Sequence, residues 1–248
     1  MLKAFEKGLR YDGRSLLDFR QIKVTYDVAR TSEGSAIVKM GNTEVIAGVK
    51  LMVGEPFPDM PDEGVISVNA EFLPLASPEF ESGPPGIDSI ELARVVDRGI
   101  RGSKVIDLKK LCIKKGEKVW IVSIDICMMN NDGNLLDASA LAALAALRQA
   151  RFPSYDGEEL DYHKKTDKAL PLSELPIAVT VFKVGNHFFV DPTKEEQTNV
   201  DARLTITTME DGTICALQKG GEKPLKLDDI SKMLDIALEK AAELRQML

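Results

Sequence analysis

Asp132-Gly133-Asn134-Leu135-Leu136-Asp137-Ala138-Ser139 is the stretch on which the fold turns. It stands between an alternating run, Lys118 to Met129, that predicts a strand and an alanine-rich run, Ala138 to Ala150, that predicts a helix. A glycine turn feeding a strand into a helix start offers free backbone N–H groups and the positive end of the helix dipole, a place that favours an anion. The side chains do not suit one. Leu135 and Leu136 bring no donor, and Asp137 brings a negative charge to the end that a phosphate would occupy. The alanines beyond allow close approach to a sheet, with Leu141, Leu144 and Leu147 filling the seam.

Upstream of the turn, alternation in Gln21 to Tyr26, Ser35 to Met40 and Thr43 to Met52 predicts strands, the last two joined by a tight turn at Gly41-Asn42. Val65 to Phe72 is a further strand, followed by a Pro- and Gly-rich loop, Pro74 to Gly86, read either as a partner-facing edge or as a solvated connection. Asp88 and Glu91 have capping-box spacing and predict a helix running to about Gly102. Downstream, Leu175 to Val184, His187 to Val190, Ala202 to Thr208 and Thr213 to Gln218 read as strands. A closing helix, Leu227 to Leu248, places Ile230, Met233, Leu234, Ala237, Leu238, Ala241, Leu244 and Leu248 on one face. Strands followed by helices, twice over, predict an α+β fold of two ββαβα-like halves, a repeat of element order and not of residue identity.

With 248 residues, 44% hydrophobic and 29% charged, the chain can bury an ample core. No apolar run approaches the ~20 residues of a membrane span, and the N-terminus lacks a signal-like stretch, so a cytoplasmic protein without membrane contact is expected. Cys112, Cys127 and Cys215 lack metal or disulfide spacing and are expected as buried thiols. His163 and His187 are the only imidazoles, His187 beside a predicted turn, so histidine catalysis is not expected. A net charge of −7 argues against a general nucleic-acid coat and leaves any RNA contact local.

Three further stretches, Lys7-Gly8-Leu9-Arg10-Tyr11-Asp12-Gly13-Arg14, Glu91 to Arg101 and Asp191 to Leu204, together with the Asp132-Gly133 turn, resemble the ribonuclease PH family of phosphorolytic 3′-to-5′ exoribonucleases. Within it, the chain is most similar to the non-catalytic ring subunits of the archaeal RNA exosome. The resemblance covers nearly the whole chain and implies a duplicated ribonuclease PH-like fold, one unit over 1–248 with approximate halves 1–155 and 156–248. In catalytic relatives the Asp-Gly turn continues with a hydroxyl residue and an arginine that hold inorganic phosphate; Leu135 and Leu136 stand at those places, with Asp137 next. Matching Asp191 and the Glu195-Glu196 pair to the family pattern puts Gln197 where the general acid belongs and Arg203 at a second carboxylate position. The resemblance thus implies a catalytically silent subunit with no cofactor. It implies pairing with a catalytic paralogue in a hexameric ring of three heterodimers, RNA-binding cap proteins, and single-stranded RNA in the ring.

Phosphorolysis needs a pocket for orthophosphate and an acid for the departing ribose oxygen, and this chain lacks family residues for both. Glu195, Glu196 and Asp201 could be a divalent-metal cluster, but the flanking Lys194 and Arg203 favour a plain loop, and no metal site is expected. On the helix from Asp88, Arg94, Arg98 and Arg101 fall on one face at i, i+4 and i+7, and the resemblance places this helix beside the RNA path. The competing reading is local pairing, Glu91 with Arg94 and Asp97 with Arg101, each contributing ~0.2–0.5 kcal/mol; Arg98 has no acid at that spacing and is the favoured RNA contact. Gly220-Gly221 resemble a family turn but equally suit a strand exit. Two rivals stand: an active phosphorolytic enzyme using a rearranged acid such as Asp137 or Asp201, and a scaffold that never touches RNA.

Overall fold

The computed structural model describes residues 1–248. Its elements are α1 (Leu2–Phe5), β1 (Ile22–Tyr26), β2 (Gly34–Met40), β3 (Thr43–Gly54), β4 (Val65–Glu71), α2 (Ile87–Ser103), a 3₁₀ turn (Leu108–Leu111), β5 (Cys112–Lys114), β6 (Lys118–Asn130) and α3 (Leu135–Gln149). There follow β7 (Arg151–Tyr155), β8 (Leu160–Ala169), β9 (Ile177–Val184), β10 (His187–Val190), α4 (Lys194–Gln197), β11 (Ala202–Thr208), β12 (Ile214–Gly220) and α5 (Leu227–Arg245). The fold class is α+β as expected. One sheet has the order β1-β2-β3-β6-β4 with β5 on β6, a second β10-β9-β11-β12, and β7 and β8 form a separate hairpin. Only β4 runs parallel to its neighbour, β6. The loop between them carries α2 across, a connection long enough for a parallel pair.

Strand alternation sets the faces. On β6, Val122, Ile124, Ile126 and Met128 are buried, while Asp125 and Cys127 lie on the other face. Helix α3 is buried from Asp137 through Leu147, and it packs on β2 and β3 of one sheet and β9 of the other. A helix enclosed on all sides must be apolar all round, which is what its alanines supply. The core is continuous, joining Val38 and Ile124 of the first sheet, Leu144 of α3, Val179 and Ile206 of the second sheet, and Met233 of α5. No helix is long and apolar enough to cross a membrane.

Several expectations need correction. Helix α3 begins at Leu135, three residues before Ala138, so both leucines and Asp137 form its first turn. Helix α2 begins at Ile87 with Gly86 at its cap; Asp88 therefore lies inside the first turn and caps nothing, and Ser89 Oγ donates to the Gly86 carbonyl instead. The segment read as a plain loop holds α4, a single turn closed by a capping box between Thr193 and Glu196. The β7–β8 hairpin, in which Tyr155 pairs with Leu160, was not foreseen. All three cysteines are free but only half-buried, Cys127 because it faces away from the core side of β6. His187, beside the β9–β10 turn, opens β10 half-buried, its ring edge-on to Phe5 at 6.0 Å.

Candidate functional site

The β6–α3 turn is built from the peptide groups outward. Gly133 has φ +87°, and a Cβ there would sit 2.5 Å from the Pro192 carbonyl oxygen, so only glycine lets this turn press on the segment after β10. Thr43 Oγ donates to the Gly133 carbonyl at 2.7 Å, and the Asp132 N–H donates back to Thr43 at 3.2 Å. The Gly133 N–H donates to Asn131 Oδ1 at 3.1 Å. The Asn134 N–H, the one leading into the helix, donates to Gln197 Oε1 at 2.9 Å. Gln197, predicted at the place of an acid, thus occupies a donor at the turn where an anion would sit. It does so as a neutral acceptor without a proton to transfer.

Behind the turn lies a buried ionic network. Arg10 donates to Glu196 through Nε at 2.9 Å and to the Val190 and Asp191 carbonyls at 2.8 and 2.7 Å. The fully buried Asp191 carboxylate accepts from Arg14 at 2.9 Å, from Arg20 at 2.7 Å and from the Asn134 amide at 3.0 Å. Arg20 also donates to the Asp132 carbonyl at 2.8 Å. Two of the quoted family stretches, Lys7 to Arg14 and Asp191 to Leu204, therefore meet at the Asp-Gly turn, with Arg20 between them.

In front of the turn opens a cleft of about 270 Å³, lined by Phe80, Glu91, Leu135, Leu136, Gln197 and Arg203 among others. The first turn of α3 carries no side-chain cap, so it keeps the anion-favouring end of a bare helix start. The side chains around it work against a phosphate. Leu135 and Leu136 line the cleft, and its two cations are both paired: Lys194 with Glu79 at 3.0 Å and Arg203 with Glu91 at 2.7 Å. Asp137 does not face the cleft. As third residue of α3 it turns inward, fully buried, accepting from Thr180 Oγ at 2.7 Å, and burial pushes its carboxyl up to about 7. The other rearranged acid, Asp201, accepts from Lys223 at 2.6 Å and from the Gly185 N–H at 2.8 Å, which hold its carboxyl below the ordinary range. Glu195, Glu196 and Asp201 do not gather into a metal cluster: Glu196 is bound to Arg10 and Asp201 to Lys223.

Arg94, Arg98 and Arg101 are exposed on α2. Arg101 pairs with Asp97 at 2.9 Å, as its spacing predicts, and also donates to the Ile66 carbonyl at 2.7 Å. Arg98 has no acidic partner but is tied to Gln218 Oε1. The expected Glu91–Arg94 pair is absent because Glu91 reaches across to Arg203, and Arg94 is the arginine without a partner. Neither the Gln197 bond to Asn134, 63 residues away, nor the Arg203 bond to Glu91, 112 residues away, leaves a signal in local spacing.

Comparison with known proteins agrees with this anatomy. Models of domains 1 and 2 of the 3′ exoribonuclease family, RNase_PH and RNase_PH_C, match residues 18–153 and 174–240. Exosome complex component Rrp42 of Archaeoglobus fulgidus is 51% identical over 99% of this chain and 93% of that protein. The protein of the same description from Thermococcus onnurineus is 48% identical over 99% of this chain and 92% of that protein. Among solved structures, an Archaeoglobus fulgidus exosome with RNA bound to the active site superposes with a TM-score of 0.92 at 49% identity, covering 99% of this chain and 94% of the other. Rice Rrp46 superposes at 0.73 with 18% identity over 96% and 97% of the two chains, a likeness of fold alone. By both domain matches and by these relatives, the chain belongs to the 3′ exoribonuclease family of ribonuclease PH-like proteins.

Proposed function

We propose that this chain is a catalytically silent ring subunit of an archaeal-type exosome, pairing with a catalytic paralogue in a hexameric ring under RNA-binding cap proteins. It supports the partner's active site and touches RNA during 3′-to-5′ phosphorolytic decay in the cytoplasm. One observation carries the reading: Gln197 Oε1 holds the Asn134 N–H at 2.9 Å, so the residue at the acid position takes up a donor of the anion turn instead of working across from it. Leu135 and Leu136 beyond it offer no replacement donors, and the cleft cations are already neutralised. The exposed Arg94, Arg98 and Arg101 supply the positive face that RNA phosphates need.

Purified chain incubated with single-stranded RNA and orthophosphate is expected to release no nucleoside diphosphate. Mixing it with the catalytic paralogue is expected to raise the paralogue's rate. Phosphate-dependent diphosphate release by the chain alone would overturn the proposal.

A further inference from the structure

The cation that Glu91 selects decides which arginine of α2 is free for RNA. By helical spacing Glu91 belongs to Arg94, three residues on. Its carboxylate instead accepts from Arg203 at 2.7 Å. Arg203 lies on β11 directly opposite Gly220 of β12. A Cβ on Gly220 would fall 2.4 Å from both Cζ and Nη1 of Arg203, so the guanidinium crosses to α2 through the space that the missing side chain leaves. Two positions earlier on the same face of β12, Gln218 holds Arg98. The α2-facing side of β12 thus sets the state of two arginine contacts, one by an amide and one by an absent side chain, while Arg94 keeps no partner.

We infer that Arg203, lodged over Gly220, is a positioning residue that diverts Glu91 from Arg94 and so keeps the Arg94 guanidinium free for an RNA phosphate. This inference rests on the reading of the α2 arginines as an RNA face. In it, neutralising Glu91 does two things. It removes the carboxylate that would otherwise cover Arg94, and it removes a negative charge one helical turn from the incoming phosphate. Losing the diversion restores an i,i+3 ion pair and leaves an unneutralised acid beside the RNA; the two effects together correspond to roughly a threefold loss of affinity.

The test measures binding of fluorescent oligoadenylate to the chain co-assembled with its catalytic partner, at several salt concentrations. Arg94→Ala is expected to weaken binding and to lower the salt slope by about 0.7, the value for one phosphate contact on a single strand. Arg203→Ala is expected to weaken binding roughly threefold in the parent but to have no further effect in the Arg94→Ala background, since its action runs through Arg94. Glu91→Gln added to Arg203→Ala is expected to restore affinity. Gly220→Ala, which evicts the guanidinium while leaving every charge in place, is expected to reproduce the Arg203→Ala loss, and melting curves report whether each variant folds. If Arg94→Ala leaves binding unchanged, the RNA face itself is wrong and the inference falls with it. If Arg94→Ala weakens binding while Arg203→Ala and Gly220→Ala do not, or if the Arg94 and Arg203 effects add, only the positioning role is refuted.

Discussion

Burial raises the Asp137 carboxyl from an ordinary 3.8 to about 7, while the Thr180 hydroxyl pulls it partly back and leaves Oδ2 without a partner. Because the folded value lies above the unfolded one, the folded chain holds this proton more tightly. The associated stability is present in full below pH about 4 and is lost as pH rises toward 7. Asp137→Asn removes the titration, so the difference in melting temperature between variant and parent is expected to grow in the variant's favour from pH 4 to pH 8. The free-energy change across that range is on the order of a few kcal/mol. A pH-independent difference would show that Asp137 stays charged in its pocket. At this scale the sequence was readable wherever a residue type alone carries the chemistry: leucine cannot donate and glutamine cannot give up a proton. It was silent wherever geometry redirects a side chain. Asp137 faces inward only because α3 starts three residues before its alanine run, and Glu91 leaves its helical neighbour for a cation on another element.

Elements were legible in proportion to their hydrophobic period. Strands β10 and β11 fall on the expected residues, and β1 to β4, β6, β9 and β12 differ from expectation by one or two at their ends, because their apolar residues alternate or run together in sequence, although β1 and β12 bury no residue completely. Strand β8 was missed because its sequence, Leu-Asp-Tyr-His-Lys-Lys-Thr-Asp-Lys-Ala, has no apolar alternation, in keeping with a strand in which no residue is buried. Helix α4 was missed because four residues are too few to show a period. The close approach predicted for the alanine-rich helix is realised at β2, where a Cβ on Gly34 would lie 2.3 Å from the Ala146 carbonyl oxygen and 2.6 Å from the Ala150 nitrogen. Both obstacles are backbone, so neither can swing away as a side chain could. Gly34→Ala is accordingly expected to force the sheet and α3 apart and to cost about 1–3 kcal/mol, read as a lower denaturant midpoint. A neutral result would mean that this helix can slide on the sheet.

Across the whole molecule, the network centred on Asp191 joins parts of the chain that the sequence keeps far apart. Arg10 and Arg14 come from the segment before β1, Arg20 and Asn134 from the part matched by the first family domain, and Asp191 and Glu196 from the part matched by the second. The quoted stretches at either end were legible as markers of a family, but their common purpose was not, since nothing in spacing shows that an arginine near the N-terminus meets a carboxylate 177 residues on. The energetics of such a network are asymmetric. An intact buried pair adds little over a well-packed apolar replacement, whereas removal of one member strands its partners' charges and is costly. Asp191 has the most to lose, because its carboxylate holds two guanidinium groups and the Asn134 amide at the turn itself. Asp191→Ala is therefore expected to lower stability by about 3–5 kcal/mol, measured by chemical denaturation. A loss below about 1 kcal/mol would place these contacts with ordinary exposed ion pairs, and the turn would then owe its shape to Gly133 and Thr43 alone.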